Sequence, residues 1–380
     1  MPIHISTEIP SGNACAITVT RDAAMPVVAL TADPHGGPEA LWFCFRIESE
    51  GYAGPLRWEL RHMGNLLGGP APETVRPVMR AGAGAWERLP PGRRRDEPDG
   101  QWTGLWTLEL AGEPVEIAFC YPYGPEEVAA LAREGWRADV IGVSQAGRPL
   151  TRLCNAYGAP GDARPGVYTL ARQHSGETPG SWVLDGFLRR MAEAGDRAPL
   201  VWSVPLANLD GVIQGDYGKD NYPYDLNRAW GAAPMRHEIL AIQHDLHRWR
   251  ERCRPLLCLD FHAPGGDETA GVYAFLPAVS ADALLMRRTL EWGQSFSAAL
   301  TEEYVAEPVS RFATYPSRWD TPTITDFCAH RLGIPALTFE TPYAEIRGTV
   351  LTPARYRDIG GRLAEGVLRA LGDAAASGGG

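Results

Sequence analysis

An imidazole and a carboxylate stand three residues apart in Arg172-Gln173-His174-Ser175-Gly176-Glu177. The run before them, Val167-Tyr168-Thr169-Leu170-Ala171, is apolar, so a strand ending in a turn would aim both side chains into one small volume. Two histidines and one glutamate, with a fourth position open, make a hydrolytic zinc centre. His262 is the expected third ligand. It sits in Leu259-Asp260-Phe261-His262-Ala263-Pro264-Gly265-Gly266, whose Pro-Gly-Gly lets the chain turn sharply at a strand end. Glu340 closes Leu337-Thr338-Phe339-Glu340 and is expected to act as general base toward water. In Tyr224-Asp225-Leu226-Asn227-Arg228 the Arg228 guanidinium can grip a substrate carboxylate through two parallel hydrogen bonds, with Asn227 beside it. Asp225 is placed to orient His174 through the ring nitrogen that does not face the metal.

The elements that must position these groups change character along the chain. Up to residue 125, short aromatic or alternating runs (41–47, 56–60, 102–110) are separated by turns rich in Gly and Pro, the pattern of an all-β sandwich. From Pro125 onward, apolar strands (139–144, 167–171, 200–205, 256–261, 336–340) alternate with amphipathic helices (126–134, 181–194, 235–250, 281–303, 353–371). That alternation predicts an α/β sheet with helices on both faces, whose ligands gather at the carboxyl ends of the strands. His174, His262 and Glu340 each fall at or just beyond such an end. The expected organisation is a sandwich-like domain over 1–125, a catalytic α/β domain over 126–373 and a disordered tail over 374–380.

Bulk composition narrows the function classes. Of 380 residues, 44% are hydrophobic and 22% charged, as in a water-soluble globular protein. A net charge of −10 disfavours nucleic acid and anionic membranes as partners. Seven scattered cysteines without a CxxC pair read as free thiols of a reducing compartment, and no basic-then-apolar leader opens the chain; a cytoplasmic location is expected. No apolar run approaches the length of a membrane span. Gly142-Val143-Ser144-Gln145-Ala146-Gly147 is one residue away from a nucleophile elbow, and Ser144 has no evident acid-base partners. His237, His244 and His247 share one predicted helix and read as a solvated face.

The ordered set His174-x-x-Glu177, Asn208-Leu209-Asp210-Gly211-Val212, Asp225-Leu226-Asn227-Arg228, His262 and Thr338-Phe339-Glu340 resembles the M14 zinc carboxypeptidases. Arg172–Glu177 followed by Trp182 looks like the motif of their cytosolic branch, and Trp42–Phe45, Gly82–Trp86 and Ala118–Tyr123 look like its preceding β-domain. The resemblance implies a mixed-sheet zinc carboxypeptidase fold and one zinc per chain on His174, Glu177 and His262. It further implies Glu340 as base, Asn227 and Arg228 at the terminal carboxylate, and the C-terminus of a peptide or protein as substrate. Two positions depart from the branch. Its carbonyl-polarising arginine aligns with Gly218, whose neighbour Lys219 is expected to substitute as a point charge. Its substrate-covering tyrosine has no clear counterpart, Tyr315 being the nearest offered; Arg311, Arg318 and Arg331 stand by as readers of an acidic side chain. Two alternatives stay open: a zinc deacylase of small acylated amino acids, and a zinc-retaining binding protein in which Gly218→Arg would restore activity.

Overall fold

The structure is a computed structural model that describes residues 3–22, 25–219, 224–231, 233–278, 282–314 and 321–377. The N-terminal part folds as ten strands in two five-stranded sheets. One sheet orders β1 (His4–Ser6), β4 (Cys44–Glu48), β10 (Val115–Ala118), β6 (Val78–Ala81) and β7 (Glu87–Arg88). The other orders β2 (Cys15–Arg21), β3 (Pro26–Thr31), β5 (Ala53–Leu60), β9 (Trp102–Ala111) and β8 (Arg93–Asp96). Side chains of β9 alternate between buried and exposed along its second half, as a strand with one wet face must. The sheets meet through aromatic rings: Phe45 of β4 stands edge-on to Trp58 of β5 at 5.8 Å, and Trp58 is braced within its own sheet by stacking on Trp106 of β9 at 4.4 Å.

After helix α1 (Pro125–Arg133), an eight-stranded mixed sheet forms the second part. Its strands are β11 (Arg137–Val143), β12 (Pro149–Cys154), β13 (Pro165–Ala171), β14 (Leu200–Val204), β15 (Arg254–His262), β16 (Val272–Phe275), β17 (Val305–Arg311) and β18 (Ala336–Glu340). They lie in the order β11-β12-β14-β13-β15-β18-β16-β17. The four central strands β14, β13, β15 and β18 run parallel. β13, β15 and β18 are almost wholly buried, which explains their unbroken apolar runs. β12, β16 and β17 were not foreseen.

Helices α2 (Thr178–Ala194), α5 (Ala283–Tyr304) and α7 (Pro353–Ser377) share one apolar core with the sandwich. Helices α4 (His237–Arg250) and α6 (Ile324–Phe327) pack into a second core on the opposite face. A short helix, α3 (Leu209–Gln214), follows β14. α2 and α7 cross closely because a Cβ on Gly360 would lie 1.9 Å from the Val183 carbonyl. α7 continues through Ser377, four residues into the stretch expected as a disordered tail; 378–380 lie outside the described residues. No helix among the described residues is long and apolar enough to cross a membrane.

Candidate metal centre and active site

β13 ends at Ala171, and Arg172 then adopts a left-handed φ of 63° that turns the chain out of the sheet. The Arg172 side chain is buried and holds the turn: Nε donates to the Ser175 carbonyl at 2.7 Å and Nη1 to the Tyr123 carbonyl at 2.9 Å. Burial lowers its pKa to about 10. The turn delivers His174 and Glu177 just before α2 begins. β15 ends on His262 and β18 on Glu340, and these two residues pair in register across the parallel strands.

Three ligand atoms converge. His174 Nδ1 lies 2.9 Å from Glu177 Oε1, His262 Nδ1 lies 2.7 Å from Glu177 Oε2, and the two Nδ1 atoms are 3.1 Å apart. All three side chains are buried, and they form the one His/Cys/Asp/Glu cluster of metal-binding geometry among the described residues. Each histidine turns its other nitrogen onto a carboxylate: His174 Nε2 to Asp225 Oδ1 at 3.2 Å, His262 Nε2 to Asp260 Oδ2 at 2.7 Å. With Nε2–H donating outward, both Nδ1 lone pairs point at the shared centre, which is the tautomer a metal needs. The residues therefore fit a metal ion held by two imidazoles and a carboxylate.

Electrostatics follow from burial and proximity. Burial opposes ionisation of Glu177, yet His174 and His262 hold its carboxyl well below the usual range. Asp225 is likewise depressed against burial, chiefly by His174. Both imidazoles are pushed up despite burial: His174 mainly by Glu177 and Asp225, His262 well above the usual range by Asp260 and Glu177. Glu340 behaves oppositely. Burial and the Glu177 charge raise it to about 8, partly offset by His262 and Lys219. Its Oε2 is buried with no hydrogen-bond partner among the described residues.

His174, His262, Glu340, Asn227, Arg228 and Lys219 all line one cleft, walled further by Thr323, Thr325 and Asp326. Asp225 sits behind it, capping the turn of Leu226–Arg228 by accepting from the Asn227 N–H at 2.7 Å. Asn227 Oδ1 accepts from the Ile324 N–H at 3.2 Å, which ties this turn to α6. A larger apolar groove between α1, β12 and the segment after β14 carries none of these groups.

Asp260 was not singled out from the sequence, although period-2 alternation puts it on the same face of β15 as His262. It also accepts from Gln173 Nε2 at 2.6 Å, and Gln173 Oε1 accepts from Trp230 Nε1 at 2.7 Å. Gly218 cannot be exchanged for arginine as expected. Its φ is +87°, and a Cβ there would lie 2.4 Å from Ser175 Oγ and 2.6 Å from the Ser175 nitrogen. Lys219, not position 218, faces the cleft. Arg311 stacks on Tyr273 and Arg331 lines a separate pocket; neither lines the cleft. Arg318 and Tyr315 lie outside the described residues. Ser144 Oγ is engaged with Asp210 Oδ1 at 2.7 Å. All seven cysteines are unpaired.

No protein-family model matches the chain. It is similar to cytosolic carboxypeptidase 6 of Caenorhabditis elegans, 24% identical over 257 residues, which cover 61% of this chain and 56% of that protein. It is similar to cytosolic carboxypeptidase 2 of Danio rerio, 31% identical over 159 residues, covering 36% and 22%. The chain thus spans about half the length of the first relative and less of the second. Among solved structures, a metallo-carboxypeptidase from Burkholderia cenocepacia superposes with a TM-score of 0.78 at 19% identity, covering 98% of this chain and all of that one. The chain is thus similar in sequence to cytosolic carboxypeptidases and shares the metallo-carboxypeptidase fold. A second metallo-carboxypeptidase, from Pseudomonas aeruginosa and in complex with (2-guanidinoethylmercapto)succinic acid, shares the fold at a TM-score of 0.73 and 21% identity, covering 96% and 98%. The mixed sheet and its preceding strands are therefore the metallocarboxypeptidase architecture along nearly the whole chain, sandwich included.

Proposed function

We propose that this chain is a zinc-dependent metallocarboxypeptidase of the M14 kind that hydrolyses the C-terminal amide bond of a peptide or protein in the cytosol. The observation that carries the reading is the convergence of two Nδ1 atoms and a carboxylate, each imidazole backed by an aspartate, in one cleft with the buried Glu340, whose Oε2 has no hydrogen-bond partner among the described residues. Zinc is favoured over other divalent ions because the ligand set is two imidazoles and one carboxylate. When bound, zinc supplies a Lewis acid that polarises a carbonyl and acidifies water.

The remaining steps belong to this chain's own residues. Glu340 takes a proton from the attacking water and returns it to the departing amine nitrogen, so peptide and water become a shortened peptide and a free amino acid. Lys219 sets an ammonium against the charge that develops on the carbonyl oxygen. Arg228 and Asn227 hold the terminal carboxylate, and Asp225 orients His174. We read residues 1–125 as a sandwich-like domain and 126–373 as the catalytic one. That boundary is supported by the last sandwich strand ending at Ala118 and α1 starting at Pro125.

The test pairs metal content with turnover. Wild type is expected to hold about one zinc per chain and to cleave peptides with a free C-terminus but not their C-terminal amides. Glu340→Gln should keep the zinc and lose roughly 10²–10⁴-fold in kcat. Full activity in Glu340→Gln, or equal cleavage of the amides, would remove the mechanism. A preference for small acylamino acids over peptides would move the reading to a deacylase.

A further inference from the structure

Lys219 reaches the cleft from an irregular loop that follows α3, not from a strand or a long helix. A flexible ammonium helps a transition state only if its backbone is held before the reaction starts. The loop's anchors come from two distant places. On one side, the metal-ligand turn grips it: Ser175 Oγ donates to the Asp216 carbonyl at 2.9 Å, and the Gly176 N–H to the Tyr217 carbonyl at 2.8 Å.

On the other side the sandwich grips it. Ser11 Oγ donates to the Val212 carbonyl at 2.7 Å, Asn13 Nδ2 to the Gly215 carbonyl at 2.8 Å, and His35 Nδ1 lies 2.7 Å from Asp216 Oδ1. Asn13 is only 1% exposed and is itself fixed by Asp33, donating to its carbonyl at 2.9 Å and accepting from its N–H at 2.8 Å. Gly215, at φ +77°, lets the two backbones touch: a Cβ there would lie 2.3 Å from the Gly12 carbonyl.

We propose that Ser11, Asn13 and His35 are positioning residues that clamp the end of α3 and the loop after it, 212–219, against the metal-ligand turn and so hold the Lys219 ammonium in the cleft. The sandwich then contributes to the rate without touching substrate. The proposal rests on the carboxypeptidase reading and on the role given there to Lys219.

Two measurements on the full chain decide it. Amide hydrogen exchange, followed by mass spectrometry, should accelerate over 211–217 in Asn13→Ala while β13 and β15 stay protected. In kinetics, a misplacement of about an ångström costs up to ~10²-fold. Asn13→Ala should therefore lower kcat/KM by about 10-fold or more in the wild-type background, mainly through kcat, and add almost nothing to Lys219→Met. Independent, multiplying losses would overturn the proposal, as would unchanged exchange over 211–217 or loss of zinc in Asn13→Ala. If Asn13→Ala does not fold, His35→Ala and its conservative partner His35→Gln run the same comparison at a partly exposed site; Gln should recover much of what Ala loses. A wild type that cleaves no peptide would sink the proposed function, and the exchange result would then judge the clamp alone.

Discussion

Asp260→Asn isolates the aspartate that backs His262. Asp260 Oδ2 receives His262 Nε2 at 2.7 Å and Gln173 Nε2 at 2.6 Å, all three side chains being buried. The asparagine keeps the shape and loses the charge, so a charge-assisted hydrogen bond becomes a neutral one of about half the strength. Its amide oxygen can still accept from both His262 and Gln173, which reach the same oxygen, while its NH2 takes the place of Oδ1, an atom buried with no partner among the described residues. Loss of such a backing carboxylate typically weakens metal binding about 10–100-fold, or roughly 1.4–2.7 kcal/mol. The assay is zinc competition against a chromophoric chelator, run beside thermal melts with and without zinc. The zinc-induced rise in melting temperature, taken relative to each protein's own zinc-free melt, should shrink with the affinity. A dissociation constant within twofold of wild type would refute the reasoning, because the His262–Asp260 contact would then contribute nothing to ligation.

Arg228→Gln should raise KM for free-acid peptides by about 10-fold or more, the value of a lost charged hydrogen bond, while zinc content stays at one per chain. Lys219→Met should lower kcat about 10²-fold without changing zinc affinity, and Gly218→Arg should destabilise the fold and give no gain in activity; steady-state kinetics and melts check both. The pH response of the centre should invert with metal. His174 and His262 have raised pKa values, so the zinc-free protein carries an ionic stabilisation that is complete below pH ~6.5 and fades as pH rises through their folded values. Zinc needs both rings neutral, so its affinity should rise with pH over the same window. Melting curves in chelator and in excess zinc between pH 6 and 9 would show the two trends cross, and parallel trends would refute the assignment.

Much of the centre was legible because strand ends and turns leave local marks. His174, Glu177, His262 and Glu340 each follow an apolar run, and parallel strands put their carboxyl ends on one edge. Asp225 was readable as a two-residue neighbour of Asn227. Asp260 carried the same kind of mark, alternation with His262, but its carboxylate reads as an ordinary buried charge until the imidazole is seen against it. β12 and β17 escaped because Pro149–Cys154 and Val305–Arg311 interleave polar residues and proline with their apolar ones. The exclusion of a side chain at Gly218 and the contacts of Ser11, Asn13 and His35 depend on atoms about 40 to 200 positions apart. No local pattern announces them.

The division of the metal ligands between the turn after β13 and the end of the neighbouring strand β15 has a consequence for assembly. Slippage of β15 against β13 by a single residue would swing His262 to the opposite face and turn Phe261 toward the cleft in its place. Parallel strands far apart in the chain are slow to find each other and prone to such errors. A metal ion that binds only the correctly aligned edge would stabilise that register selectively. Cofactor supply during synthesis would then act as a proofreading step for the sheet, and metal-starved cells should accumulate misregistered, protease-sensitive chains.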